Sequence, residues 1–268
     1  MRAIRLLAIV FLLATAAISL AADWLAPHDY AEQFRDHAGE PPSPRFPAGT
    51  DELGRDRASR LLHACRTSLL LALGTASLAI SLAAIIGGVA GFRGGWVDSA
   101  LSSLMDLMLS LPWLFLLLTV RALLPLNTSP SASISATAAL IGLAGWAPAA
   151  RVIRANVLSV RNSAPLLYAR ACGLRDYRLL AVHLLPNLKP VLRAQFWIFV
   201  PVFLLTEANL GLLGLGILEP MPSLGSMLAE LQNYDRIPSA PWMLTPAFLL
   251  LGIVTSLHLA MAEAKTWE

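Results

Sequence analysis

Residues 68–92 read SLLLALGTASLAISLAAIIGGVAGF, a run without one charged side chain. A helix needs about 20 mainly apolar residues to cross a bilayer, so this run is long enough to span. Ala83, Gly87 and Gly91 recur at four-residue spacing, which leaves one face without bulk and lets another helix approach closely. Five further apolar stretches follow the same pattern, near Leu6–Ala22, Ser99–Leu124, Ile134–Val157, Gln195–Leu218 and Trp242–Ala262. The fold expected is an all-α integral membrane protein with about six transmembrane helices.

Composition agrees. Of 268 residues, 56% are hydrophobic and 14% charged, with a mean hydropathy of +0.64, whereas soluble domains carry about 25% charged residues. The two cysteines, Cys65 and Cys172, cannot build a disulfide framework or a four-thiolate zinc site. Five dispersed histidines show no ligand spacing, so no metal site is expected. A pI near 9.2 reports which loops stay in the cytoplasm rather than a nucleic-acid partner.

Charge then sets orientation. Residues 151–193 hold eight basic side chains against Asp176 alone, while 23–65 hold five arginines against eight acids. The connection 219–241 sets Arg236 against three acids. By the positive-inside rule the basic connection is cytoplasmic, the two acidic ones lie outside, and both termini are inside. Arg2 and Arg5 precede the first apolar stretch, and Ser19-Leu20-Ala21 also fits a signal-peptide cleavage site. Either reading puts Asp23 outside. The chain divides into an N-terminal helix (1–22), an extracytoplasmic connection (23–65), a membrane body (66–262) and a short cytoplasmic tail (263–268). Within the connection, residues 35–54 are rich in Pro, Gly and charge and are expected to form an irregular, solvated tether.

The basic connection is too long for a simple turn. Pro165 sits where a short helix begins and Gly173 where it stops. Asp176 is placed to cap a second short helix, Tyr177–Leu184, which Pro186 is expected to terminate. Leu166, Leu167, Leu179, Leu180 and Leu184 supply an apolar side. Two readings stand at this point: a docking surface for a partner, or an amphipathic pair with its arginines against lipid phosphates.

Two acids fall inside expected spans. Glu207 lies near midplane of the fifth, and Asp106 about seven residues into the third. Intramembrane carboxylates are functional candidates by default, costing about 2.5–3.5 kcal/mol at a helix centre. Each is read either as a structural hydrogen-bonding group or as part of a transport pathway. Arg121 is read as snorkelling to the outer surface.

Certain stretches carry a resemblance. Tyr168-Ala169-Arg170-Ala171-Cys172-Gly173, followed by Leu184-Leu185-Pro186-Asn187, resembles the EAA loop of type I permease subunits of bacterial ABC importers. The blocks 49–56 (GTDELGRD), 91–98 (GFRGGWVD), 206–216 (TEANLGLLGLG) and 222–230 (PSLGSMLAE) resemble the C-type permease subunit of the dipeptide/oligopeptide/nickel family. Leu167 stands at the name-giving glutamate, Tyr168 at the first alanine, and Leu224 where Trp is usual.

That resemblance implies a type I permease fold over 66–262 in the bacterial inner membrane. It further implies an ATPase-docking loop containing Tyr168, Ala169, Arg170, Ala171, Gly173, Asp176, Leu185 and Pro186. The implied partners are a homologous second permease subunit, two ABC ATPase domains, an extracytoplasmic substrate-binding protein and membrane lipid. The implied cargo is a peptide, with nickel or a glutathione-type conjugate as alternatives. ATP and Mg would sit on the partner chains, and no cofactor is expected on this one. The chain has only two lysines, Lys189 and Lys265, and neither lies in a Gly-Lys-Ser/Thr phosphate loop. An ion-coupled secondary transporter using Asp106 and Glu207 is the competing class, although no repeat supports it. A membrane-embedded enzyme lacks a clustered acid, base and nucleophile.

Overall fold

A computed structural model describes residues 2–123, 129–232, 238 and 240–261. The expected cytoplasmic tail 263–268 lies outside the described residues, as does the Arg121 side chain. The described residues are helical, without a named strand.

The helices are α1 (Arg2–Leu20), α2 (Ala22–Leu25), α3 (Arg57–Arg93), α4 (Gly95–Ser110), α5 (Trp113–Leu123) and α6 (Pro130–Ala144). They continue as α7 (Ala147–Arg161), α8 (Ala164–Ala171), α9 (Asp176–Arg178), α10 (Leu185–Leu212), α11 (Leu224–Ala229) and α12 (Thr245–Met261). Four segments, Arg2–Leu20, Arg57–Arg93, Leu185–Leu212 and Pro241–Met261, are each long and apolar enough to cross a membrane, and the pair α6–α7, bent by 46°, is so only when the two helices are taken together. The remaining expected span, 99–124, is divided between α4 and α5. Leu111 is extended (φ −77°, ψ 133°) because Pro112 disfavours the helical region at the residue before it.

The helix that carries the apolar run 68–92 begins eleven residues before it, at Arg57. Asp56 caps α3: its carboxylate accepts from the Ser59 N–H at 3.0 Å. The polar residues Arg57, Arg60 and His63 are therefore helical and buried, not loop.

The chain forms two compact units. One comprises 1–73, 121–138 and 201–268. Here α1 lies along α12, with the Phe11 ring against Gly252, where an added Cβ would stand 3.0 Å from Phe Cζ. The connection 35–54 is irregular, as expected, but not simply solvated. Phe46 is buried among the rings of His28, Phe34 and His37. Gly49 and Gly54 take positive φ, and Thr50 bridges Asp56. Its buried charge, Asp51, is tolerated inside because it pairs with Arg55 and lies 3.7 Å from the Arg60 guanidinium.

The other unit comprises 74–120 and 139–200. The small-residue face of α3 meets α7: a Cβ on Gly87 would stand 2.3 Å from the Ala150 carbonyl oxygen, and one on Gly91 2.8 Å from Val157 Cβ. Only glycine permits that approach.

Candidate functional site

The basic elbow is built in the second unit. Pro165 lies in the first turn of α8, where its missing N–H costs nothing. The helix ends in a Schellman motif: the Gly173 N–H donates to Arg170 O (3.0 Å) and the Leu174 N–H to Ala169 O (3.2 Å). Gly173 has φ +76°, and a Cβ there would meet nothing within 4 Å. Glycine is needed for backbone conformation, and the space beside it is open.

Beyond the elbow the path differs from expectation. Arg175, not Asp176, occupies the N-cap of α9, and no side chain caps it. Asp176 sits in the first turn, exposed, its carboxylate 3.8 Å from the Arg170 guanidinium across the elbow. Pro186 does not end the helix. A π-helical turn, Leu179–Leu184, leads straight into α10. The wider i→i+5 turn accommodates a residue that lacks an N–H and crowds the carbonyl four residues back.

The element has an anchored underside and a free face. Leu166, Leu179 and Leu184 are buried, the Arg170 guanidinium lies 5.8 Å from the Phe92 ring, and Arg161 donates to Gly91 O at 3.3 Å. Both contacts fasten the elbow to the C-terminal end of α3. Outward stand Tyr168, 74% exposed, with Leu167, Val182 and Leu185. Arg170, Ala171, Cys172, Gly173, Asp176 and Pro186 are exposed as well, and Ala169 partly so. Of the five leucines expected on one apolar side, Leu167 and Leu180 thus face outward instead.

Asp106 is paired with Arg151 of α7, and both are exposed. Three residues on, Arg154 grips Asp98 through two guanidinium nitrogens, at 2.5 and 2.7 Å. Two acids of α4 are thus fastened to two arginines of α7.

Glu207 belongs to the first unit and is wholly buried. Ser68 Oγ donates to its Oε2 at 2.8 Å and accepts the Leu224 N–H at 2.9 Å. Gly225 lies against the carboxylate, for a Cβ there would stand 2.8 Å from Oε1. Gly211 meets the same turn, where a Cβ would stand 2.3 Å from the Gly225 carbonyl carbon. Ser223 and Ser226 close a capping box that opens α11. Glu207 therefore fastens α3, α10 and α11 in one junction.

Sequence reasoning did not find the ion-pair cluster at the head of α3. Arg55 Nε donates to Asp51 at 2.6 Å and its Nη1 to Glu219 at 2.6 Å. Arg60 Nη2 donates to Glu219 at 3.0 Å, and Arg57 Nη1 pairs with Glu230. Arg57 and Arg60 are both buried. Burial raises the Glu230 carboxyl above its ordinary value, against the opposing charges of Arg57 and Arg60. Nearby, Arg66 donates twice to Asp23 and His63 meets the same carboxylate at 3.1 Å. The hydrogen bonds from Arg66 and then His63 hold Asp23 below the usual carboxylate range. The block 49–56 and the arginines that follow it were visible; the acids Glu219 and Glu230, more than 150 positions away, were not visible as their partners.

Residues 80–267 match the family described as binding-protein-dependent transport system inner membrane component. The di/tripeptide transport system permease protein DppC of Pseudomonas aeruginosa is 35% identical over 94% of this chain and 82% of its own length. The dipeptide transport system permease protein DppC of Bacillus subtilis is 30% identical over 85% and 69%. The oligopeptide transport system permease protein OppC of the same organism is 30% identical over 81% and 68%. With its apolar spans and helical architecture, the chain belongs to the binding-protein-dependent transport system inner membrane components and is a multi-pass permease subunit of an ABC importer.

Proposed function

We propose that this chain forms part of the transmembrane path for short peptides, carries out no chemistry itself, and is driven by ATPase subunits that grip the elbow around Gly173. The observation that carries this reading is the elbow's construction: an anchored leucine underside with Tyr168, Arg170, Gly173 and Asp176 presented outward. A lipid-lying amphipathic pair would bury its exposed apolar side chains in the interface. Here the apolar residues that face out alternate with an arginine and a carboxylate, which suits a protein groove.

In this reading both termini and the elbow are cytoplasmic, and the cluster around Arg55, Arg57 and Arg60 faces outside. Nucleotide binding favours one arrangement of the two ATPase domains, and the gripped elbow favours the bundle state that matches it. Arg170 on Phe92 and Arg161 on Gly91 O carry that movement to the end of α3. A second, homologous permease subunit completes the path, and an extracytoplasmic binding protein delivers the peptide. The names of the relatives support peptide cargo. ATP and Mg belong to the partner chains.

The test is reconstitution of the chain with its second permease subunit, ATPase subunits and binding protein in liposomes. ATP-dependent uptake of labelled di- and tripeptides is expected. Uptake that persists with hydrolysis-dead ATPase subunits would overturn the reading.

A further inference from the structure

The helix α4 sorts its exposed side chains by chemistry. Ser99, Ser103, Asp106 and Ser110 are all exposed, and their spacing of four, three and four residues sets them in one lengthwise stripe. Leu104, Leu107 and Leu111 are exposed too, centred about 100° further round the same helix. Asp106 is paired with Arg151 of α7, yet the two side chains remain 63% and 54% exposed. This pair is not at the rim of the spans. Asp106 lies eleven residues beyond Gly95, where α4 begins, about 16 Å along the axis. Ala150, next to Arg151, backs onto Gly87, six residues inside the Arg93 end of α3, about 9 Å. Half the hydrocarbon core is about 15 Å thick, so the open pair stands within it.

Lipid does not accept an open ion pair: charged side chains at that depth face the bundle interior or a water-filled cavity. We propose that Ser99, Ser103, Asp106 and Ser110 of α4, with Arg151 of α7, are the wetted wall that this chain gives to the peptide path, and that Asp106 and Arg151 read the charge of the cargo. The leucine arc beside them faces lipid. Serine hydroxyls both donate and accept, so they meet a peptide backbone in any register. One carboxylate against one guanidinium gives the wall both signs without net charge, which suits zwitterionic peptides of varied sequence. An exposed pair costs little to open, and Asp106 and Arg151 then meet the ammonium and carboxylate ends of a peptide. Meanwhile the less exposed pair of Asp98 and Arg154, at 17% and 28%, keeps α4 fastened to α7. The inference rests on the peptide-importer reading and deepens it, naming the residues of the path that meet the cargo.

The test uses the complete importer in proteoliposomes, carrying Ser103→Cys or, for comparison, Leu104→Cys, and treated with a charged methanethiosulfonate. Labelling is mapped on this chain by mass spectrometry and read against the unmodified chain, in which Cys172 is the exposed thiol. Ser103→Cys is expected to label about tenfold faster than Leu104→Cys, and its labelling to stop peptide uptake. Equal rates, or a Ser103→Cys thiol closed to the reagent because the second permease subunit or lipid covers it, would overturn the wall. The second arm sets a tripeptide with a central glutamate against one with a central lysine in competition for uptake. Asp106→Asn leaves Arg151 unmatched and should shift the uptake ratio about threefold toward the acidic peptide, and Arg151→Gln by the same factor toward the basic one. A merely structural pair would slow both peptides alike, and an unmoved ratio would overturn the charge-reading role. Where a charge variant does not assemble, the Ser103→Cys labelling decides. Peptide uptake by the unmodified importer stands in each of these failures, which separates them from failure of the peptide-importer reading.

Discussion

Ser68 Oγ donates a 2.8 Å hydrogen bond to Glu207 Oε2 and, through its lone pair, holds the backbone N–H of Leu224. One hydroxyl thereby links two long apolar helices to the turn that opens α11. Ser68→Ala leaves a buried N–H and a buried carboxyl oxygen without that partner, at a cost of about 1–3 kcal/mol. A lower thermal midpoint in detergent, with expression retained, is the expected outcome. Glu207→Gln keeps an oxygen for Ser68 and should be milder, whereas Glu207→Lys places a cation where nothing accepts it and should prevent assembly. Equal losses from Gln and Lys would mean that a negative charge, not a hydrogen-bonding shape, is required.

Gly211 and Gly225 test the same junction sterically. A Cβ on Gly211 would lie 2.3 Å from a backbone carbon, and backbone cannot yield as a side chain can. Gly211→Ala is expected to destabilise by about 1–3 kcal/mol through overpacking. Gly74→Ala, where a Cβ meets nothing within 4 Å, serves as the control and should leave the thermal midpoint unchanged.

At the elbow the penalty is conformational. Gly173 sits at φ +76° with open space around it, so Gly173→Val strains the backbone by about 1–2 kcal/mol without a clash inside the chain. Membrane insertion should survive. The ratio of peptide transported to ATP hydrolysed should fall severalfold in proteoliposomes, and an unchanged ratio would count against the elbow as the coupling element.

Some of this architecture was legible from local pattern alone. Gly87 and Gly91 announced a close helix approach because residues four apart share a face, and Pro165 and Gly173 bracketed α8 because their backbone restrictions act within one turn. Pro186 misled for the opposite reason: proline breaks a regular α-helix, but a π turn relieves the same conflict, and the turn is chosen by packing of Leu179 and Leu184. The head of α3 was hidden because Arg57 and Arg60 look solvated until Glu219 and Glu230 arrive from a distant segment. No periodicity encodes that pairing.

Asp23 gives a pH test on the clasp between α2 and the first turns of α3. Its carboxyl is held below the ordinary value of 3.8, first by the Arg66 hydrogen bond and then by His63. A carboxyl lowered in the folded state contributes stability that is present above the unfolded value and lost as pH falls through the folded one. The thermal midpoint of the native chain should therefore gain from this clasp at neutral pH and lose the gain only below about pH 4. Asp23→Asn removes the ionisable partner, so its difference from the native chain should be seen at pH 7 and shrink as pH falls below about 4. Because Asp23 is exposed, 150 mM salt should shrink the difference, since the ions screen an exposed pair over a Debye length of about 8 Å. A difference that persisted unchanged at low pH would show that Asp23 acts through neutral hydrogen bonding, and the charge-based clasp would be discarded.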